Sequence, residues 1–224
     1  VISQVIIKRF PSFKVILSIF AWCLLFGLNL EGRTLSQEKA EGWVPDYNKR
    51  DKWQQPEKIL DAIGIKSGMI IADVGSGTGY LTLRLANRVG DKGIVYASDI
   101  RKDRINKLKD RAQKAGFNNI ITLHGTEKDP GLPKGKFDMV IMLHVIHIVI
   151  KNQDPQALLA NIKPALKPGG TLVLVHWDGK KMGYPEVEAY SKESVLKVMK
   201  EAGFKLTRLE TFLPRDNIFI LKAD

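Results

Sequence analysis

The sequence predicts an α/β fold, a mostly parallel β-sheet covered on both faces by helices. Three observations predict it. From about Trp43 onward, apolar runs of strand length alternate with amphipathic stretches of helix length. The runs are near-continuously apolar, as strands buried on both faces of a parallel sheet are. The first of them ends in Asp73-Val74-Gly75-Ser76-Gly77-Thr78-Gly79, a glycine-rich turn between a strand and a helix. The chain has 224 residues, enough for one such domain with short extensions.

Residues 1–32 stand apart. Lys8, Arg9 and Lys14 precede an apolar run from Val15 to about Leu28. A basic start followed by a short apolar run reads as a secretory signal peptide. The run is short for a membrane-spanning helix, which needs about 20 apolar residues. No clean small-x-small cleavage site follows it, so an uncleaved signal anchor through residues 15–30 is the companion reading. The basic residues before the run place the remainder on the far, periplasmic side of the membrane, exported or anchored. If the segment is no signal, the protein is cytoplasmic. Residues 33–55 form an N-terminal extension whose aromatics, Tyr47 and Trp53, either lid the site or pack against the core. Residues 56–224 form the domain.

Within the domain, Met69–Val74 reads as the first strand and Tyr80–Val89 as the helix after it. Ile94–Ser98 is the second strand, and Lys102–Ala115 a helix ended by Gly116. Ile120–Leu123 and Phe137–Leu143 are the third and fourth strands. Asp154 opens a helix with Pro155 in its first turn, a placement that costs no backbone bond. Lys167-Pro168-Gly169-Gly170 is a turn before the fifth strand, Thr171–Val175. Ser191–Ala202 is a helix stopped by Gly203. Two final strands, near Phe204–Leu209 and Ile218–Leu221, are joined through the short link Pro214–Asn217 and predict an antiparallel hairpin at the sheet's edge.

The formal charge is +11, which raises the expectation of an anionic partner, nucleic acid or an anionic membrane. Much of it lies on one helix, where Arg104, Lys107, Arg111 and Lys114 share a face opposite Ile105, Leu108, Ala112 and Ala115. That pattern is a solvated surface helix or, less simply, a binding stripe. The single cysteine, Cys23, excludes an intrachain disulfide and a cysteine-based metal site.

The glycine loop carries the chemistry. A helix N-terminus offers free N–H groups and partial positive charge, and glycines let the backbone approach a ligand closely. A dinucleotide site needs G-x-G-x-x-G/A, but the position of the third small residue is Tyr80. The spacing here is G-x-G-x-G with Asp73 two residues ahead. An acid suits the sulfonium and amino cations of S-adenosylmethionine, which has no pyrophosphate. Asp99 ends the second strand, where an acid accepts hydrogen bonds from ribose hydroxyls.

On these residues, together with Phe137-Asp138-Met139-Val140-Ile141-Met142-Leu143-His144 and Leu166-Lys167-Pro168-Gly169-Gly170-Thr171, residues 53–222 resemble class I S-adenosylmethionine-dependent methyltransferases. Arg50–Leu60 and Gly64–Gly68 resemble a bacterial methyltransferase-domain subgroup, some of whose members carry export signals. The resemblance implies a Rossmann-like three-layer αβα sandwich, with a seven-stranded, mostly parallel sheet whose last strand is antiparallel. It implies S-adenosyl-L-methionine as cofactor. Asp73, Gly75, Ser76, Gly77, Thr78 and Gly79 would hold the methionine end, Asp99 the ribose and Ile100 the adenine. Gly125, Thr126 and Glu127 would edge the adenine. Many members have an aspartate where this chain has Thr126, so Glu127 or Asp129 is expected to supply that contact. His144 would lie near the sulfur.

Methyl transfer is an in-line displacement in which positioning does much of the work, and a base is needed only when the acceptor must lose a proton. His144 and His147 are the catalytic candidates. With His176 they are expected near the carboxyl ends of the strands, bordering one cleft. Each could equally shape the pocket while bonded to backbone, and no metal site is expected. The Asn/Asp-Pro-Pro-Tyr motif of DNA amino-methylating enzymes is absent after the fourth strand, which reads Leu143-His144-Val145-Ile146. The expected function is methyl transfer to a small-molecule, lipid or protein acceptor. RNA methylation and non-catalytic cofactor binding are the alternatives.

Overall fold

A computed structural model describes residues 48–151 and 154–224. The expected signal or anchor segment, Tyr47 and most of the extension lie outside those residues. No helix among the described residues is long and apolar enough to cross a membrane.

The chain enters through two helices, α1 (Asn48–Gln54) and α2 (Pro56–Ile63), before the first strand. Then β1 (Ile70–Val74), α3 (Thr82–Val89), β2 (Ile94–Asp99), α4 (Lys102–Lys114) and β3 (Ile120–His124) alternate. They are followed by β4 (Phe137–Leu143), α5 (Ile146–Lys151), α6 (Pro155–Ile162) and β5 (Leu166–Trp177). The chain closes with α7 (Gly179–Met182), α8 (Lys192–Glu201), β6 (Phe204–Glu210) and β7 (Asp216–Ala223).

One seven-stranded sheet runs in the order β3-β2-β1-β4-β5-β7-β6. Strands β1 to β5 pair in parallel, and β7 is antiparallel to both of its neighbours. The fold class is the expected one. The short link between β6 and β7 permits only an antiparallel turn, and β7 folds back inside β6, which takes the edge.

Side-chain alternation builds two cores. Ala72, Val74, Val140, Met142, Leu172 and Leu174 face one side, where α6 and α8 bring Leu159, Ile162, Val195 and Met199. Ile71, Val95, Met139, Ile141, Val173 and Val175 face the other, where α2 and α3 bring Ile59, Leu60, Leu85 and Val89. Burial on both faces is why these strands read as unbroken apolar runs.

Differences from the sequence reading are local. Helix α3 starts at Thr82, because Gly77–Leu81 still belong to the turn. Strand β5 reaches from Leu166 to Trp177, and Lys167–Gly170 are an irregularity within it, since Leu166 pairs with Phe137 and Thr171 already with Met139. The run Ile146-His147-Ile148-Val149-Ile150 folds as α5 against its β-branched composition, an override of local propensity by tertiary packing. Helix α4 buries Ile105, Leu108 and Ala112 as expected. Its basic face is not wholly solvated, however: the Arg111 guanidinium donates to the Thr78 carbonyl at 2.8 Å and to its hydroxyl at 2.7 Å.

Gly79 joins the glycine loop to this packing. Its φ is +94°, and a Cβ there would lie 2.4 Å from the Leu108 Cδ1. Gly79→Ala is expected to combine left-handed strain with overpacking and to cost about 2–4 kcal/mol. Urea unfolding of the variant checks this; a loss of under about 0.5 kcal/mol would mean the loop relaxes freely.

Candidate functional site

The glycine loop leaves the carboxyl end of β1 and is fastened to the end of β2. Gly75 and Ser76 both donate their N–H groups to the Ser98 carbonyl, at 2.8 and 3.0 Å. Gly77 donates its N–H to Asp99 Oδ2 at 2.8 Å, while Asp99 Oδ1 accepts from the Arg101 N–H at 2.9 Å. Gly77 has φ +57°, and a Cβ at this position would meet nothing within 4 Å, so the backbone here faces open space.

That space is a cavity of about 980 Å³ at the carboxyl ends of β1, β2, β4 and β5. It lies at the upper end of the range for small-molecule sites, about 300–1,000 Å³, with room for a cofactor and a second reactant. Of the residues expected to hold the cofactor, Asp73, Gly75, Ser76, Gly77, Thr78, Asp99, Ile100, Thr126, Glu127 and His144 line it. Gly79, Gly125 and His147 do not. Gly79 packs on Leu108. Gly125 is buried against Pro130 and Ser98, with its N–H donated to the Asp99 carbonyl at 3.2 Å. Of the two acids offered for the adenine edge, Glu127 borders the cavity, whereas Asp129 turns its carboxylate to the Gly131 N–H at 2.8 Å.

Two carboxylates mark the loop end. Asp73 is buried and accepts a 2.6 Å hydrogen bond from the Thr82 hydroxyl. Burial pushes its pKa up to about 6; the Thr82 bond opposes this, the Asp99 charge adds to it, and Arg50 opposes it. The Ser76 hydroxyl is buried without a hydrogen-bond partner among the described residues. A poised carboxylate, an orphan hydroxyl and an open backbone cradle fit a cationic, polyhydroxylated nucleoside.

The histidines divide. His144 follows the last residue of β4 with φ +58°, a conformation uncommon outside glycine. Its Nε2 lies 2.8 Å from Asp216 Oδ1. Its ring is near-parallel to Trp53, with centroids 6.0 Å apart, and tilted against Trp177 at 4.8 Å. His147 instead lies in a buried aromatic layer, stacked on Trp177 at 4.5 Å and on His176 at 5.7 Å. His176 Nε2 donates to the Ala189 carbonyl at 2.8 Å. Burial, foremost, holds both His147 and His176 down to about 4. The one cleft expected for all three histidines therefore contains His144 alone.

Sequence reasoning missed Asp216 and Gln54. Asp216 is fully buried, and its second oxygen accepts from Gln54 Nε2 at 2.8 Å. Its carbonyl accepts from Lys181 Nζ at 2.8 Å. In sequence it is a turn aspartate beside Pro214, 72 residues from His144, with no local signal of the pairing. Trp53, weighed as lid or packing, lines the cavity from α1.

Residues 71–170 match the family described as "Methyltransferase domain". The chain is 29% identical over 147 residues to the demethylmenaquinone methyltransferase of Bacillus pumilus, spanning 63% of this chain and 60% of that one. It is 28% identical over 119 residues to a ubiquinone/menaquinone biosynthesis C-methyltransferase of Vibrio vulnificus, spanning 53% of this chain and 45% of that one. The chain thus spans about half the length of these curated relatives. Among solved structures, a SAM dependent methyltransferase from Aquifex aeolicus superposes with a TM-score of 0.70 at 26% identity, covering 84% of this chain and 98% of that one. With the sheet order, the glycine loop and its two carboxylates, these matches support an S-adenosylmethionine-dependent methyltransferase: residues 71–170 match the methyltransferase domain, and the chain shares the fold of a solved member.

Proposed function

We propose that the protein transfers a methyl group from S-adenosylmethionine to a small organic acceptor carrying a planar ring, seated at the His144 end of the cavity. The observation that carries this reading is the cavity itself: one concave space with the two loop carboxylates at one end and the aromatic walls Trp53 and Trp177 at the other. Relatives named as a demethylmenaquinone methyltransferase and as a C-methyltransferase of ubiquinone/menaquinone biosynthesis support it. RNA is the less favoured partner, because several basic residues around the site are already engaged: Arg84 with Asp51 at 2.8 Å, Lys128 with Asp154 at 2.7 Å, and Arg111 with Thr78.

The cofactor, when bound, supplies an electrophilic methyl group on a sulfonium. The chain supplies its placement. Asp73 would hold the cationic amino group, with Ser76 and the loop backbone around the methionine end. Asp99 would accept from the ribose hydroxyls, Ile100 would cover the adenine, and Glu127 would meet its edge. Leu143 and the two tryptophans exclude water from the reacting end and orient the acceptor, which in a displacement reaction supplies much of the rate.

Labelled-methyl transfer to fractionated cell extract tests the reading. Label is expected in the organic-soluble, low-mass fraction. Label confined to RNA or protein would overturn the acceptor, and tight cofactor binding without transfer to any fraction would favour a non-catalytic binder.

Cofactor binding should also report the state of Asp73. A cationic ligand needs the carboxylate, and the free protein holds this group at about 6. Above that pH the site is ready; below it, binding must first expel a proton. The dissociation constant of S-adenosylhomocysteine, read by calorimetry, is expected to be flat above about pH 7 and to weaken up to about tenfold per unit below pH 6. Asp73→Asn should bind more weakly and lose that slope. A wild-type constant that does not change down to about pH 5 would remove Asp73 from the ligand contacts.

A further inference from the structure

We propose that His144, Asp216 and Gln54 form a proton-accepting triad at the acceptor end of the cavity, with His144 Nδ1 as the atom that takes the proton. The acceptor's reacting group then carries an acidic hydrogen, a phenolic or enolic hydroxyl, rather than a ready lone pair as in an amine. This inference rests on the methyl-transfer reading of the same cavity.

The geometry assigns the tautomer. Asp216 is fully buried, and each of its oxygens takes one hydrogen bond, from His144 Nε2 at 2.8 Å and from Gln54 Nε2 at 2.8 Å. An ionised carboxylate only accepts, so His144 Nε2 carries the hydrogen and the lone pair of the neutral ring sits on Nδ1. Among the described residues Nδ1 makes no hydrogen bond, while the ring lines the cavity. Two tryptophan rings neighbour the imidazole, Trp53 with its centroid 6.0 Å away and Trp177 at 4.8 Å. The left-handed backbone at His144 is strain of a kind that gathers at functional sites. Three distant parts of the chain converge on this one ring: α1, the end of β4 and the start of β7. The nearby imidazoles, His147 and His176, are outside the cavity lining and are held neutral by burial.

In the step, the acceptor hydroxyl gives its proton to His144 Nδ1. The electron pair released on the acceptor forms the bond to the methyl carbon as the carbon–sulfur bond breaks, and that bond's pair stays on sulfur. The sulfonium becomes a neutral thioether and its positive charge reappears on the imidazolium, facing the Asp216 carboxylate. Asp216 and Gln54 are positioning residues; His144 is the catalytic one.

The test uses the full chain with labelled S-adenosylmethionine and three chemical probes, catechol, 1,4-naphthohydroquinone and benzylamine. Methyl transfer is expected to at least one hydroxyl probe and not to benzylamine. His144→Ala should lower kcat about a hundredfold or more, and Asp216→Asn at least about tenfold, with S-adenosylhomocysteine affinity held within about twofold. Imidazole nitrogen shifts at pH 8 should show the Nε2–H tautomer of His144 in the wild type and a gain of the Nδ1–H form in Asp216→Asn. A wild-type Nδ1–H tautomer would overturn the triad, as would variants that keep the wild-type kcat, or an Asp216→Asn whose cofactor affinity falls as far as its kcat. Transfer to benzylamine alone, or to no hydroxyl probe, overturns the acceptor class. A wild type that binds no S-adenosylhomocysteine fails the methyltransferase reading instead, so the two failures are distinct.

Discussion

Three successive N–H groups, those of Gly75, Ser76 and Gly77, reach from the end of β1 to the end of β2, ending on the Ser98 carbonyl and the Asp99 carboxylate. Parallel strands leave such groups free where the ladder stops, and a loop that spends them on the neighbouring strand is held at one distance from it. Everything on the cofactor side follows from that tether. It sets the gap in which Asp73 and Asp99 face the same space, keeps the Gly77 backbone turned to the cavity, and aims the start of α3 at it. A helix N-terminus so placed adds positive potential where an anionic group would lie. Arg111 reinforces the loop from behind through Thr78, so α4, outwardly a basic surface helix, also supports the site.

The acceptor side depends on a different element. Helix α1 has few residues of its own to bury, yet its contacts are specific. Asp51 accepts from the Tyr80 hydroxyl at 2.7 Å and pairs with Arg84 at 2.8 Å, while Gln54 reaches Asp216 and Trp53 lies over His144. The Asp51 pairs are partly exposed and each is worth on the order of 1 kcal/mol at most. The Gln54–Asp216 bond is fully buried, and losing one partner of a buried charge costs several kcal/mol. The helix is thus held chiefly through the same carboxylate that orients His144. Opposite it, Lys181 draws together the carbonyls of Thr211, Leu213 and Asp216 and the Asn217 side chain, which fixes the β6–β7 turn and with it the place of Asp216.

Burial sorts the ionisable groups of the site by role. His147 and His176 sit in an aromatic layer with Trp177 and Tyr190, where charge is expensive, and they remain neutral packing groups. Asp73 is buried too, but with a hydroxyl donor and the open cavity beside it, so its carboxyl is poised near neutrality. His144 has one nitrogen committed to a buried carboxylate and its ring in the cavity lining.

The amino-acid sequence by itself determined the α/β class, the order of the strands along the chain, the glycine loop and the two acids at the ends of β1 and β2. All of these are written in residues that are neighbours in the chain: apolar runs of strand length, a loop whose spacing admits one nucleoside class and resists another, an acid at a strand end. Tertiary structure alone decided that α5 is a helix despite its β-branched residues, that β7 lies inside β6, and that His147 is packing while His144 lines the cavity. It alone brought Asp216 and Gln54 to His144. Such partners are chosen by which strand ends and helices the sheet order sets side by side, and a contact across 72 or 162 residues leaves no periodicity or spacing in the sequence between them.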